Sequence, residues 1–344
     1  MKILVVSTAI FPCPPPGYGG LELVVFELAR ALAKRGHEVT LNAIKGSKAD
    51  GFEVASPCDG GPHNPEGELF NPLIPRIKDH GFDAILDHSW LGLSWSLKKD
   101  CPWLPVIHTC HGMLPYSSMP PEVNKPCLVG VSRWHANFLH WQYNVPVEYA
   151  YNGSDISGLP LVEEKEPYAI FLARITQGKG AIEAITIMRE WIKRGYIDYG
   201  IIAGEDQFVD TQGYVVAVQQ RCDGRDIIYM GTTPLEMKID LLSHARVMIS
   251  PLMPPYAEIF GLATVEALAC GTPVISVDSG AAREIITPET GIIVHEWSDA
   301  IDKYPLLVKI SPRDCRLRAE EFSPDNMAGR YEELAERAIS NGGW

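Results

Sequence analysis

The sequence lacks the features that mark metal sites, disulfide frameworks and membrane spans. Its 344 residues include eight cysteines, but no two of them stand in a C-x-x-C pair or in zinc-type spacing. This argues against a metal site and favours reduced thiols in a cytoplasmic protein. No apolar run reaches the roughly 18 residues that span a bilayer. We therefore expect a folded, cytoplasmic protein with no metal.

Basic residues are also scarce. The chain has 30 Lys and Arg against 43 Asp and Glu, which gives a net charge of -13. Binding to a phosphate backbone needs a basic surface, so we do not expect a nucleic-acid partner. A peripheral association with membrane stays possible, because a local patch such as Lys98, Lys99 or Lys193, Arg194 is compatible with a negative total.

The chain opens with an alternation of strand, loop and helix. Residues 2–8 predict a fully buried strand rather than a signal peptide, because a loop rich in proline and glycine and then an amphipathic helix follow them. Arg35-Gly36 ends that helix, and EVTLNAI predicts the next strand. Further short apolar runs continue the series to about residue 152. The pattern predicts a parallel, doubly wound α/β sheet.

The length favours two domains, at about 150 residues for each. A segment rich in glycine, proline and charge, residues 152–167, separates the first series of strands from a second. We predict Rossmann-like domains over residues 1–155 and 156–322 and a last helix, capped by Ser323, over 323–344. Ligands of such sheets bind beyond the carboxyl ends of the strands, which predicts an interdomain site.

The most specific motif is EIFGLATVE, residues 258–266. A predicted strand ends just before it, and a helix is expected to begin around Phe260 to Gly261. The free N–H groups of the first helical turn and the helix dipole suit a diphosphate. Glu258 and Glu266 bracket that position, and carboxylates suit sugar and ribose hydroxyls.

This motif, with Gly271-Thr-Pro-Val after it, resembles the E-x7-E signature of family 4 glycosyltransferases. Residues 171–180 are similar to the family's G-R-L-x-x-x-K-G element, although alanine replaces its glycine and Gln-Gly its proline-acid pair. Arg174 and Lys179 keep the family spacing. As fixed cations they would stabilise a leaving diphosphate in place of a metal. A cation at a helix N-terminus is also disfavoured without an anionic partner, which favours a functional role.

Two elements of the first domain resemble the same family. The loop GYGGLE, residues 17–22, fails the G-x-G-x-x-G test of a dinucleotide fold. It resembles the family's G-G-x-E loop, in which Gly19 and Gly20 would approach the donor phosphates or the acceptor. His111, in a histidine-glycine element that ends the predicted fourth strand, is by resemblance the residue that contacts the transferred sugar. His108 is the alternative.

The resemblance implies a GT-B fold and a metal-independent, retaining transfer of a hexosyl group from a nucleotide sugar, with no cofactor. Glu258 would hold sugar hydroxyls, Glu266 the ribose, and His111 the sugar near the reacting carbon, with Arg174 and Lys179 on the diphosphate. The last helix would cross back to the first domain. The implied donor-binding set is Gly19, Gly20, Arg174, Lys179, Gly204, Glu258, Phe260, Gly261, Leu262, Ala263 and Glu266.

Donor and acceptor stay open. A UDP sugar is favoured and GDP-mannose is possible, whereas the acceptor could be a saccharide, a lipid-linked molecule or a small molecule. Residues 46–71 are either part of an acceptor pocket or a surface excursion. The alternative functions are a GT-B nucleotide-sugar epimerase, a phosphorylase-like enzyme and a non-catalytic nucleotide-sugar-binding subunit. A NAD-dependent dehydrogenase is disfavoured by the missing glycine fingerprint.

Overall fold

Two compact units make up the chain. The computed structural model describes residues 1–17, 19–61, 66–112, 126–207 and 212–344. The first unit comprises Met1–Asp155 and Ser323–Trp344, and the second comprises Ile156–Phe322.

The first unit is built on a seven-stranded sheet in the order β3-β2-β1-β4-β5-β6-β7, and all of its strand pairs are parallel. Its strands are β1 Lys2–Val6, β2 Glu38–Asn42, β3 Glu53–Ala55, β4 Ala84–Asp87, β5 Val106–Cys110, β6 Cys127–Gly130 and β7 Val147–Tyr149. The connecting α-helices are α1 Gly20–Lys34, α2 Glu66–Phe70, α3 Ile74–Lys78 and α4 Arg133–Tyr143, and a 3-10 helix spans Leu93–Lys99.

The second unit holds a six-stranded sheet in the order β10-β9-β8-β11-β12-β13, again with parallel pairs throughout. Its strands are β8 Tyr168–Leu172, β9 Tyr199–Ala203, β10 Ile227–Gly231, β11 Val247–Ser250, β12 Val274–Val277 and β13 Gly291–Val294. Its α-helices are α5 Ala181–Lys193, α6 Gln212–Gln219, α7 Leu235–His244, α8 Leu262–Ala269, α9 Ala282–Ile285, α10 Tyr304–Leu307 and α11 Pro312–Glu320. Shorter 3-10 helices span Gln177–Lys179 and Trp297–Asp302.

The central strands are apolar because helices cover both faces of a parallel sheet. Strand β1 has four consecutive buried residues, and every residue of β8 is buried. Helix α1 presents Val24, Val25 and Leu28 to the interior. The prediction of two parallel-sheet, Rossmann-like domains is confirmed.

Two details of the predicted strands in the first unit were wrong. Strand β3 lies within residues 46–71, so this segment is not simply a loop, and helix α2 begins there as well. Residues 62–65 of the segment lie outside the described part of the chain. Because β3 precedes β4, the strand that leads to His111 is the fifth and not the fourth.

The last helix, α12 Pro324–Asn341, belongs to the first unit, where it packs against α1. As predicted, Ser323 caps it, with its hydroxyl accepting from the Asn326 N–H at 3.2 Å. In the part of the chain that the structure describes, no helix combines the length and the apolar character needed to cross a membrane.

Replacing Ser323 with alanine should lower the free energy of unfolding of the first unit by about 1 kcal/mol, because the capped N–H loses its acceptor. Ser311→Ala is the matched control, since Ser311 precedes α11 in the same way but makes no side-chain cap. Urea unfolding followed by circular dichroism compares the two. Equal losses in both variants would show that the cap contributes nothing.

Candidate functional site

Helix α8 presents free N–H groups at its N-terminus. Gly261, with a φ of 96°, precedes the first helical residue, Leu262. The N–H groups of Thr264 and Val265 donate to the Gly261 carbonyl at 3.0 and 3.3 Å. Those of Leu262 and Ala263 make no hydrogen bond to any residue that the structure describes. They are available to an anionic ligand, and the helix dipole favours one.

Lys179 and Glu258 form an ion pair in the second unit. The Lys179 ammonium contacts the Glu258 carboxylate and lies 4.7 Å from the centre of the Tyr256 ring. Lys179 is 9% exposed. Burial opposes its charge, but the negative charge of Glu258 outweighs burial and raises the pKa of Lys179. The ammonium is therefore charged at neutral pH.

The Lys179–Glu258 pair bears on the predicted role of Lys179. The sequence predicts that a cation near a helix start needs an anionic partner, such as a bound diphosphate. The chain itself supplies a partner, Glu258, so the position of Lys179 alone does not demand a phosphate. Arg174 differs, because its side chain is exposed and forms no ion pair with the described residues.

The pair is assembled by loops that are far apart in sequence. The Met253 N–H donates to the Gly178 carbonyl at 2.9 Å, which joins the loop after β11 to the 3-10 turn that carries Lys179. The Ala281 N–H donates to the Glu258 carbonyl at 2.8 Å, and the Ser279 hydroxyl donates to the Tyr256 carbonyl at 2.9 Å. The loop after β12 thus holds the backbone beneath Glu258.

Glu266 also has a partner that the sequence did not reveal. Its Oε1 lies 2.7 Å from the ammonium of Lys238 on α7. No motif contains Lys238, so only the fold could identify it. The Lys238 ammonium fixes the Glu266 carboxylate on the second turn of α8.

Two other members of the predicted donor set have clear positions. Gly204 directly follows β9, and its N–H donates to the Gly231 carbonyl at 2.8 Å. Phe260 is 2% exposed and packs edge-on against Phe322, with ring centroids 5.6 Å apart. Any contact of Phe260 with a donor must come from its backbone.

In the first unit, the glycine loop leads directly into α1. Gly19 is the N-cap residue and Gly20 is the first residue of the helix, whereas Tyr18 lies outside the described residues. Glu22 in the first turn is 4% exposed and accepts a hydrogen bond from the Thr8 hydroxyl. Burial raises the pKa of Glu22. This carboxylate joins the first turn of α1 to the segment that follows β1, and it is not a freely solvated group.

His111 lies directly after β5 and contacts another histidine. Its Nε2 is 2.8 Å from Nδ1 of His88. Burial, together with the neighbouring His88, His108 and His135, lowers the pKa of His111 well below its usual value, so the ring is neutral.

The competing residue, His108, lies in the core. It is 1% exposed, its Nδ1 is 3.6 Å from Asp87 Oδ2, and its ring meets Trp95 edge-on at 4.9 Å. These contacts are those of a core histidine. The described residues contain no group of three or more His, Cys, Asp or Glu side chains that could hold a metal ion.

Asp87 ties the end of β4 to the following turn. It is completely buried and accepts from the Ser89 N–H at 2.9 Å and from the Ser94 hydroxyl. Burial alone would raise the pKa of Asp87, but its interactions with His108, Ser89 and Ser94 outweigh burial and lower it to about 2.

The low pKa of Asp87 predicts a pH dependence of stability. Because the folded value lies below the unfolded value of about 3.9, the carboxylate stabilises the fold above about pH 4. We expect roughly 2 kcal/mol to be lost as the pH falls from about 4 to about 2. Asp87→Asn should remove this part of the acid transition, whereas exposed Asp79→Asn should not. Urea unfolding at several pH values measures the free energy of unfolding of each variant. If this free energy depends on pH identically in wild type and Asp87→Asn, the prediction is wrong.

Comparison with known proteins covers most of the chain. Residues 155–308 match the family described as Glycosyl transferases group 1, and residues 18–157 match Glycosyltransferase Family 4. The chain is similar to the D-inositol 3-phosphate glycosyltransferase of Paenarthrobacter aurescens (strain TC1), at 26% identity over 85% of this chain and 86% of that relative. The protein of the same name from Arthrobacter sp. (strain FB24) is 27% identical over 88% of this chain and 86% of its own length.

Solved structures share the fold. AviGT4, a glycosyltransferase involved in avilamycin A biosynthesis, superposes with a TM-score of 0.76 at 23% identity, covering 99% of this chain and 98% of that one. Anabaena HepE in complex with UDP and glucose has a TM-score of 0.69 at 16% identity, covering 98% of this chain and 99% of that one. The fold is GT-B. Because these two glycosyltransferase models together match residues 18–308, this chain is a glycosyltransferase.

Proposed function

We propose that this enzyme moves a hexosyl group from a nucleotide sugar to an acceptor hydroxyl, with retention of configuration and without a divalent metal. The observation that carries the proposal is the Lys179–Glu258 pair, in the unit whose α8 begins with two N–H groups, those of Leu262 and Ala263, that bond to none of the described residues. A cation and free N–H groups suit a diphosphate, and the carboxylate suits the hydroxyls of the attached sugar.

In the proposed reaction, the bond between the anomeric carbon and the donor phosphate breaks while the acceptor oxygen bonds to that carbon from the same face. The acceptor's proton passes to the departing phosphate oxygen, and a nucleoside diphosphate leaves. Negative charge grows on the diphosphate in this step. That charge would be stabilised by Lys179, Arg174 and the N-terminus of α8. In metal-dependent enzymes a divalent metal ion has this role.

The remaining residues would orient the donor. Glu258 would accept hydrogen bonds from sugar hydroxyls and not act as a covalent nucleophile, because Lys179 already holds its carboxylate as an ion pair. Glu266, fixed by Lys238, would bind the ribose. Neutral His111 would contact the transferred sugar, and Gly19 and Gly20 would lie near the phosphates or the acceptor. No cofactor beyond the nucleotide sugar is proposed.

The choice of donor and acceptor is guided by the similar proteins. HepE is described in complex with UDP and with UDP-glucose, which supports testing UDP sugars first. Relatives named D-inositol 3-phosphate glycosyltransferases place inositol phosphates at the head of the acceptor panel. All eight cysteines are free thiols, which supports the proposal of a cytoplasmic enzyme.

The deciding experiment measures release of UDP or GDP from a panel of nucleotide sugars, in EDTA, with and without acceptors. Wild type is compared with Glu258→Ala and with the control Glu164→Ala, which changes an exposed carboxylate of the same unit. We expect nucleotide release by wild type and Glu164→Ala and its loss in Glu258→Ala. Activity that requires added metal would contradict the metal-independent mechanism. Donor binding without turnover would favour a non-catalytic subunit.

A further inference from the structure

His88 is a buried histidine that no sequence motif singled out. It directly follows β4, is 1% exposed, and places Nδ1 2.8 Å from Nε2 of His111. Its other ring nitrogen, Nε2, is sealed from solvent and has no hydrogen-bond partner among the described residues. Nδ1 of His88 thus contacts His111, and Nε2 contacts no polar group of the described residues.

The position of His88 is set by three neighbouring elements. Its N–H donates to the Val6 carbonyl of β1 at 2.9 Å. Its ring lies 5.6 Å from that of Tyr331 on α12, and the Tyr331 hydroxyl is 2.7 Å from Thr109 Oγ1 on β5. The backbone of His88 is therefore fixed by β1, and its imidazole packs against Tyr331 while it contacts His111.

A count of protons decides which ring donates. Burial lowers the pKa of His88 to about 3 and that of His111 well below its usual value, so each neutral ring carries one N–H. If His111 donated, the proton of His88 would have to lie on Nε2, as a buried N–H with no acceptor in the described part of the chain. Folded proteins rarely contain such a group. If His88 donates from Nδ1, its Nε2 is bare and no N–H is orphaned.

We propose that His88 is a positioning residue that holds His111 in its Nδ1–H tautomer. His88 donates from Nδ1, and His111 Nε2 accepts. The single proton of His111 then lies on Nδ1, where it can donate to an oxygen of the transferred sugar. The inference deepens the proposed function, since it rests on His111 contacting that sugar. It accounts for a buried ring that the family motifs leave unexplained.

Three substitutions of His88 distinguish the effect of losing its Nδ1–H donor from the effect of changing its side-chain volume. The side-chain amide of His88→Asn places an N–H where Nδ1 stands, whereas that of His88→Gln places one nearer to Nε2. His88→Leu keeps similar volume with no donor. Replacing His244, a partly exposed residue at the end of α7, with leucine controls for the loss of a histidine elsewhere.

The first readout is the tautomer of His111 by nitrogen-15 NMR on the full chain labelled at histidine. Comparison with His111→Gln assigns the signal. We expect an Nδ1–H signal in wild type and His88→Asn and its loss in His88→Leu and His88→Gln. An Nε2–H signal in wild type overturns the proposal, as does an unchanged tautomer in both His88→Leu and His88→Gln.

The second readout is turnover of the nucleotide sugar. We expect His88→Leu and His88→Gln to lower kcat by about 10- to 100-fold, the range found for residues that orient metal-bound histidines. His88→Asn should restore most of the rate, and the Kd for UDP should not change. Full activity of a folded His88→Gln overturns the positioning role even if His88→Leu fails to fold. If wild type turns over no donor, the proposed function fails, while the tautomer spectra still decide the assignment of His88.

Discussion

Lys179→Met should lower kcat by about 10²- to 10³-fold, the usual cost of removing one fixed group that stabilises developing negative charge. Methionine keeps most of the length and apolar bulk of lysine but carries no charge. Lys179 as a whole is 9% exposed, so water cannot easily take the place of its ammonium. The loss should fall on kcat more than on KM, because the diphosphate gains charge as its bond to the sugar breaks.

Steady-state nucleotide release measures this prediction, with Lys193→Met as the control. Lys193 ends α5 in the same unit, and its side chain is 77% exposed. Glu258→Gln and the double variant Lys179→Met/Glu258→Gln complete a double-mutant cycle. Because Lys179 and Glu258 contact each other, we expect the double variant to lose less than the product of the two single losses. A Lys179→Met enzyme whose kcat matches wild type would refute the assigned role.

The sequence predicted the central strands well because their pattern is local. Strands β1 and β8 contain four and five consecutive apolar residues, and burial on both faces requires such runs. Strand β3 has three residues, none of them fully buried, and lies at the sheet edge. A three-residue strand that is only partly buried carries a weak apolar signal, which is why β3 was missed.

The sequence names candidate site residues but does not give their contacts. The family spacing singles out Lys179, Glu258 and Glu266, since motifs preserve local order. Their pairing depends on the sheet topology, which joins Lys179 to a residue 79 positions away. The partnership of Glu266 with Lys238 on a different helix and the contact of His111 with His88 have the same origin. Residue types and spacing carry no information about which loops the strands bring together.

Gly280→Ala should destabilise the second unit by about 2–5 kcal/mol. Gly280 has a φ of 61°, in the left-handed region, where a side chain costs about 1–2 kcal/mol. A Cβ there would lie 2.0 Å from the Glu258 carbonyl oxygen and 2.8 Å from the Glu258 nitrogen. Both atoms are backbone, so relief needs a shift of the loop, at about 1–3 kcal/mol more.

Gly195→Ala isolates the conformational part of this cost. Gly195 has a φ of 69° in the same unit, but a Cβ there meets nothing within 4 Å. Urea unfolding should show a loss of about 1–2 kcal/mol for this variant, since only the left-handed backbone is penalised. The excess loss in Gly280→Ala then measures the contact with Glu258, and equal losses would exclude that contact.

Gly280→Ala should lower the reaction rate as well as the stability of the second unit. The Ala281 N–H holds the Glu258 carbonyl, so a shifted loop moves the carboxylate that pairs with Lys179. A misplacement of about 1 Å at a reacting group can cost on the order of 10²-fold in rate. Measured where both variants are fully folded, kcat should fall in Gly280→Ala and stay near wild type in Gly195→Ala. If kcat is retained despite the lost stability, the backbone of Glu258 does not set the position of its carboxylate.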